Sequence, residues 1–356
     1  MKPTNLSSIV SALLIMGAVY MNSATGRAAD FPQAAANAQF SAVHGFKDST
    51  LPRLRRGVST DAGITAALVD KLCAAPCSTQ SDTGEGDSHR IKSDHWSLQV
   101  AGDGSWARFR DHEVEARAHS LEQDPAKKMS ADALEKRGRS FVADKLSSAI
   151  TLDAEEELVP VRTDYRFEGG QDVNTGEVTS SIVANRIVFG RTLYGVPVVG
   201  GGSTVVVTFA NDGSVESFQY DWPKYEIQQY QNVLSASEIL RRVQTVIGAR
   251  GILPPTISLA ASGSEKTAYP IALSADTTLE KLECGYYDPG AGILATGAQI
   301  QPGCVYHAVY QGQNGMRQGL AGAVPAGVQF EPDPAWPEAV ALSPSSSTPT
   351  KGAERH

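Results

Sequence analysis

The chain has 356 residues, of which 41% are hydrophobic and 20% are charged, so it can bury a sizeable core and is not disordered along its whole length. Its formal net charge is −8 and its basic residues are scattered along the sequence. This pattern lacks the electrostatic footprint of a protein that binds nucleic acid or an anionic membrane. We therefore expect no nucleic-acid partner, and any partner should be a protein.

The first residues have the pattern of a secretory signal peptide. Lys2 precedes an apolar run, Ile9 to Met21, and a zone of small residues follows at 23–29. The alternative is a permanent membrane anchor, but the run is shorter than the ~20 residues that span a bilayer. We expect residues 1–29 to be cleaved, the protein to be secreted or periplasmic, and no stable membrane insertion to remain.

The next segments predict an arm and a small folded region. Residues 30–58 are rich in Ala, Gln and Ser and then basic, and we expect a mobile arm there. Residues 59–125 predict a smaller N-terminal α/β region. Its helix is indicated by Ile64, Leu68 and Leu72 at four-residue spacing, and its hairpin by the alternation from Ile91 to Asp111.

If the protein is exported, its four cysteines are expected to form disulfides. Cys73 and Cys77 form one local pair in the sequence, and Cys284 and Cys304 form another, although four cysteines allow three connectivities. An exported chain normally oxidises its thiols, which favours two local structural disulfides. A redox or metal site at Cys73-Ala-Ala-Pro-Cys77 is the competing interpretation, but it lacks the two-residue spacing of a thioredoxin-like motif and a second Cys or His cluster.

The remaining chain predicts two similar units. Ser130 and Ser235 each open an amphipathic helix with the pattern Ser-Ala-x-x-[Leu/Ile], and strand-like alternation follows both helices. We assign the units to residues 126–230 and 231–330, the second carrying the disulfide. The fold class that we predict is therefore α+β, with two units of helix plus antiparallel sheet after the smaller N-terminal region. Residues 331–356 are rich in Pro, Ser and Thr and predict a disordered tail.

The segment from Phe189 to Trp222 predicts a β-hairpin. Val205, Val207 and Phe209 alternate along one strand, Asn211-Asp212-Gly213 supplies a turn, and a partner strand returns with alternating apolar residues at Phe218, Tyr220 and Trp222. The glycines before this hairpin suggest a phosphate loop, but Gly202-Ser203-Thr204 lacks the required lysine. We expect a tight turn that lets strands approach closely.

These residues carry a resemblance to a known family. The pattern Tyr194-Gly-Val-Pro-Val198, then Gly200-Gly-Gly202 and the hairpin, resembles the propeptides of fungalysin and thermolysin-type metalloproteases. The helix followed by strands in both units, over residues 130–326, resembles the related PepSY domain. The resemblance implies a domain that restrains a secreted peptidase or assists its folding. No peptidase domain follows here, so we expect the chain to act in trans or to have another binding role.

No motif predicts catalysis, a metal site or a cofactor. His112-Glu113 begins a zinc-peptidase pattern, but position 116 is Ala where the second His ligand is needed. No Gly-x-Ser-x-Gly elbow is present, so the sequence does not support a lipase-like triad. Glu155 to Glu157 form a run of charges typical of the solvent-exposed end of a helix, which is favoured over a general acid and base pair.

The function that we predict is an exported, non-catalytic binding protein, in its specific form a propeptide-like inhibitor or folding assistant of a secreted metallopeptidase. The alternative is an envelope or surface protein that packs against or binds cell-wall material without a peptidase partner. Tyr194, Val196 and Val198 are the candidates for an exposed, partner-facing edge, and ordinary sheet core is the alternative for these three residues.

Overall fold

A computed structural model describes most of the chain and shows a predominantly β protein. Fourteen strands join into one connected sheet, and four helices lie among the same described residues. The described residues are 46, 49–57, 63–73, 79–83, 88–120, 128–176, 178–250, 278–291, 294, 297–311 and 317–330.

The strands and helices are numbered separately in chain order. The helices are α1 (Ile64–Leu72), α2 (His112–Ser120), α3 (Ala131–Lys145) and α4 (Ala236–Arg250). The strands are β1 (Thr50–Arg56), β2 (Gln80–Thr83), β3 (Ser88–Lys92), β4 (Trp96–Ala101), β5 (Trp106–Asp111), β6 (Glu156–Gln171), β7 (Val178–Leu193), β8 (Val196–Val199), β9 (Thr204–Ala210), β10 (Val215–Asp221), β11 (Tyr225–Asn232), β12 (Thr278–Tyr287), β13 (Gln299–Gln311) and β14 (Arg317–Pro325).

The strand order corrects the predicted fold class. It runs β2-β3-β4-β5-β10-β9-β7-β8-β12-β13-β1-β11, with β6 on β7 and β14 on β13. Two separate α+β units of helix plus antiparallel sheet are therefore wrong, because the sheet continues across the boundaries at 125 and 230. The predicted mobile arm, residues 30–58, contains β1, which pairs with β11 on one side and β13 on the other. These pairings join segments far apart in sequence, which local periodicity does not reveal.

The local predictions in the central segment are confirmed. The β9–β10 hairpin forms as predicted, with a turn in which Gly213 has a φ of 84°. The apolar side chains that alternate along it enter one core with side chains from α1 and α3. The β4–β5 hairpin, predicted within residues 91–111, packs its apolar face into the same core.

Both predicted helix starts are also confirmed. The Ser130 hydroxyl accepts a hydrogen bond from the backbone N–H of Ala133 at 3.2 Å. Ser235 and Glu238 form a capping box, in which the Glu238 carboxylate accepts from the Ser235 N–H at 3.0 Å and the Ser235 hydroxyl accepts from the Glu238 N–H at 3.4 Å. Helix α3 covers one face of the β7–β9–β10 sheet, and α4 packs near β14.

One of the two predicted disulfides lies within the described residues and is confirmed. Cys284 on β12 and Cys304 on β13 lie directly opposite each other, with their Cα atoms 4.0 Å apart, and are bonded. Cys73 follows α1 and is disulfide-bonded, but Cys77, its predicted partner, lies outside the described residues.

Two other predictions also fall outside the described residues. They are the signal peptide at 1–29 and the tail at 331–356. Within the described part of the chain, the structure contains no helix with the length and apolar character required to cross a membrane.

Candidate functional site

The predicted partner-facing edge is mostly buried. Tyr194 is 53% exposed and, with Gly195, forms the two-residue turn between β7 and β8, both residues having positive φ angles of 54° and 73°. Val196 and Val198 are buried in a core with Tyr286. These two valines are therefore core residues, because β12 pairs in parallel beside β8 and continues the sheet over that edge.

The glycine loop after β8 serves close packing, as the sequence indicated. Gly200 has a φ of 108°, and a Cβ atom there would lie 2.3 Å from the backbone oxygen of Asp288. A Cβ atom on Gly202 would lie 2.2 Å from the Asp288 carboxyl carbon. The loop therefore wraps the Asp288-Pro289-Gly290 turn, and this contact requires glycine.

Asp288 belongs to a buried polar cluster that joins four strands. Arg56 at the end of β1 donates to Asp288 at 3.2 Å and to Asp221, at the end of β10, at 2.6 Å. The Tyr225 hydroxyl at the start of β11 donates to Asp288 at 2.5 Å and contacts the Ser203 hydroxyl at 2.8 Å. The Arg56 and Asp288 side chains are 3% and 0% exposed. Because these groups bond one another away from solvent, we assign the cluster a structural role.

Burial sets the acid–base character of this cluster. It raises the pKa of the Asp221 carboxyl, an effect that the nearby Arg56 guanidinium and the Ala291 N–H oppose only in part. Burial, with the neighbouring Asp288 carboxylate, also raises the pKa of the Tyr225 hydroxyl well above its ordinary value. Tyr225 therefore acts as a neutral hydrogen-bond donor at physiological pH.

A different feature presents convergent polar groups to solvent. One face of the β3–β4–β5–β10–β9–β7 sheet, with part of β6, forms a concavity of about 380 Å³. We call it the arginine face, and its polar side chains are Arg90, Ser97, Gln99, Arg108, Arg110, Arg166, Arg186, Thr208, Glu216, Ser217 and Gln219.

Strand alternation explains why these side chains share a face. Along β5, Ala107 and Phe109 are buried in the core, while Arg108 and Arg110 between and beyond them are exposed. The other strands alternate in the same register. One row across the sheet runs Arg90, Gln99, Arg108, Gln219 and Val206, and the next runs Lys92, Ser97, Arg110, Ser217, Thr208 and Arg186.

Some of these arginines are paired with carboxylates. Arg166 binds the buried Glu216 carboxylate through two hydrogen bonds of 2.6 and 3.0 Å. Arg110 pairs with Glu115 on α2, which helps hold the pKa of that carboxyl below its ordinary value despite partial burial. Arg186 pairs with Asp164 at 2.7 Å.

Two arginines keep their charge available to a ligand. Among the described residues, neither Arg90 nor Arg108 has a carboxylate within ion-pair distance. The Arg108 guanidinium lies 5.6 Å from the centre of the Trp106 ring, which orients it without neutralising it. The two charges lie in one row with Gln99 between them.

The amino-acid sequence alone does not reveal this face. The five arginines lie between residues 90 and 186 and were interpreted as scattered. Polar residues do alternate with apolar ones in β4 and β5, so the exposed face of each strand could have been predicted. The order of the strands, which brings the arginines together, could not.

A second cavity, of about 570 Å³, lies between α3 and the start of β6. Its lining includes apolar residues such as Val142, Ile150 and Leu158, and two of its charged groups pair with residues outside the lining, Arg139 with Glu135 and Glu156 with Arg191. Across the described residues, no group of three or more His, Cys, Asp and Glu side chains is arranged to hold a metal ion. The arginine face is therefore the better candidate site.

No model of a known protein family and no curated protein matches this chain. A solved structure that is similar to it is described as an uncharacterized protein from Eubacterium rectale ATCC 33656. The two share 14% sequence identity with a TM-score of 0.46, over 80% of this chain and 87% of that chain. A likeness at this level assigns no activity to the chain.

Proposed function

We propose that this chain is an exported, non-catalytic binding protein that holds an anionic ligand on its arginine face. The observation that carries the proposal is the pair Arg90 and Arg108, exposed in one row of a concave sheet face and without carboxylate partners among the described residues. The chain as a whole has a net charge of −8, so this local excess of positive charge is opposite in sign to the net charge of the protein.

Electrostatics supports this role. Of the five arginines that line the concavity, three are paired with carboxylates: Arg110 with Glu115, Arg166 with Glu216 and Arg186 with Asp164. Among the described residues, Arg90 and Arg108 supply the excess positive charge. A concave surface with charge of one sign focuses the field and attracts ligands of the opposite sign. Guanidinium groups also bind carboxylates, sulfates and phosphates with two parallel hydrogen bonds, which gives the contact a preferred geometry.

The exported location rests on two independent features. One is the amino-terminal pattern of Lys2 followed by the apolar run from Ile9 to Met21. The other is the Cys284–Cys304 disulfide, a bond that persists mainly in oxidising compartments.

A charge-matched pair of variants tests the binding face. The variant Arg90→Gln/Arg108→Gln removes these two cations from the arginine face. The variant Lys136→Gln/Lys281→Gln removes two exposed cations from α3 and β12, away from that face. We expect the first variant to leave a dextran sulfate column at clearly lower salt than the unaltered protein, and the second to elute close to it. Equal elution of the two variants would show that the face is not the binding site.

A metallopeptidase partner remains a more specific proposal for the same protein. It is motivated by the resemblance of residues 194–222 to metalloprotease propeptides. The purified protein should then slow a zinc endopeptidase secreted by its own source at low stoichiometry and co-elute with it in gel filtration. If neither occurs and the protein sediments with envelope fractions, the alternative of an envelope-binding protein is favoured.

A further inference from the structure

We propose that the ligand of the arginine face is a linear acidic polysaccharide that lies across the strands, its carboxylates on Arg90 and Arg108 and its hydroxyls on the amide and hydroxyl side chains around them. This inference rests on the proposed function and names its ligand class. It follows from the spacing of the cations, from the neutral groups among them, and from the position of the strands within the sheet.

The spacing of the two arginines suits a polymer with repeated charges. Arg90 on β3 is in register with Gln99 on β4, and Gln99 is in register with Arg108 on β5. Because neighbouring strands lie ~4.8 Å apart, the backbones that carry the two arginines are separated by about 10 Å. A chain running across the strands therefore meets a cation, a neutral amide and a second cation in turn.

The groups around the cations suit a ligand with hydroxyls. The Gln99 amide N–H₂ donates to Ser88 at 3.2 Å, which leaves its carbonyl oxygen as an acceptor. Gln219, on the other side of Arg108, is exposed, and among the described residues its amide has no hydrogen-bond partner. Acceptors on a binding face need donors on the ligand. Ionised carboxylates and sulfates offer none, whereas sugar hydroxyls both donate and accept.

The position of the strands disfavours an extended acidic peptide. A peptide that binds a sheet gains most of its hydrogen bonds by pairing with an exposed strand edge. Strands β4, β5, β10 and β9 have a partner strand on both sides, so their backbone groups are already used. A peptide lying on this face would have to bind through side-chain contacts alone.

The ligand class can be tested by native gel electrophoresis through gels that contain polygalacturonate, poly-L-glutamate or neutral dextran. The purified protein should be retarded most by polygalacturonate, less by polyglutamate at equal carboxylate concentration, and not by dextran. Arg108→Gln should weaken the polygalacturonate complex by about tenfold, as expected for a charge-assisted hydrogen bond. Lys136 lies on the opposite side of the sheet, so Lys136→Gln is the matched control and should leave the affinity for polygalacturonate unchanged.

Gln219→Leu separates recognition of hydroxyls from recognition of charge. It keeps the side-chain size and removes the amide, so binding to polygalacturonate should weaken by about fivefold while binding to polyglutamate is unchanged. If polyglutamate binds as tightly as polygalacturonate, or Gln219→Leu affects both equally, the polysaccharide inference is wrong and the anion-binding function stands. If neither polymer retards the protein, both proposals fail.

Discussion

Arg56 on β1 and Asp288 after β12 form a buried ion pair across 232 residues of sequence, with 3.2 Å between Nη1 and Oδ1. Arg56 also binds Asp221 at 2.6 Å. One guanidinium therefore ties together the amino-terminal strand, the central hairpin and the carboxy-terminal part of the sheet. The stability of the whole protein should depend on this contact.

Replacing Arg56 by Met should destabilise the protein strongly. The two carboxylates would stay buried without their cation, and breaking a buried pair from one side costs about 3–5 kcal/mol. Chemical denaturation with a spectroscopic readout measures the loss in the free energy of unfolding. Arg55→Met is the control, because the Arg55–Glu226 pair is 49% exposed on both sides and should contribute less than about 1 kcal/mol. Similar losses in the two variants would contradict the structural role of the cluster.

Asp221 should make stability depend on pH in a defined direction. Burial raises its pKa in the folded protein above the ordinary value of 3.8. A group with a raised folded-state pKa contributes stability that is complete below the unfolded pKa and is lost as the pH rises through the folded pKa. The difference in unfolding free energy between the unaltered protein and Asp221→Asn should therefore fall as the pH rises above about 4. A difference that grows with pH would refute this assignment.

The glycine loop predicts a contrast between two glycine substitutions. In Gly202→Ala the added Cβ would overlap the Asp288 carboxyl group, so the variant should lose about 1–3 kcal/mol of stability. A Cβ atom added to Gly170, on β6, would have no other atom within 4 Å, so Gly170→Ala should change stability by less than about 1 kcal/mol. Thermal unfolding of both variants checks the contrast, which would be lost if the loop moved freely away from Asp288.

The disulfide should stabilise the carboxy-terminal sheet. Cys284 and Cys304 are 20 residues apart, and closing a loop of this length contributes about 3 kcal/mol in the loop-entropy estimate. The variant Cys284→Ala/Cys304→Ala should show this loss in denaturant unfolding and should retain its binding to polyanions, since the bond lies outside the arginine face. A loss of binding in a variant that is still folded would place the site nearer the disulfide than we propose.

Sequence reasoning succeeded where structure depends on neighbouring residues. The β9–β10 hairpin was predicted because apolar residues alternate on both sides of a turn at Gly213, and the starts of α3 and α4 because serine caps precede amphipathic stretches. Each of these features is determined within about 20 residues. The close-packing role of Gly200 to Gly202 was also predicted, although its partner, Asp288, was not.

Sequence patterns did not predict the pairing of segments that are far apart in the chain. The Ala, Gln and Ser content of residues 30–58 and the basic run near their end predict a mobile arm, yet this segment contains β1, in which Leu51 and Leu54 are buried. The burial of Val196 and Val198 depends on β12, nearly 90 residues later in the chain. The arginine face requires the register of six strands, and no local pattern contains that information.

The central claim is that Arg90 and Arg108 hold an anionic ligand, and the salt dependence of binding tests it most directly. Binding to polygalacturonate should weaken as the sodium chloride concentration rises, because each neutralised charge releases a counterion. Arg90→Gln/Arg108→Gln should reduce the slope of log affinity against log salt by about 1–2, while Lys136→Gln/Lys281→Gln should leave it unchanged. Identical slopes for the two double variants would contradict the claim.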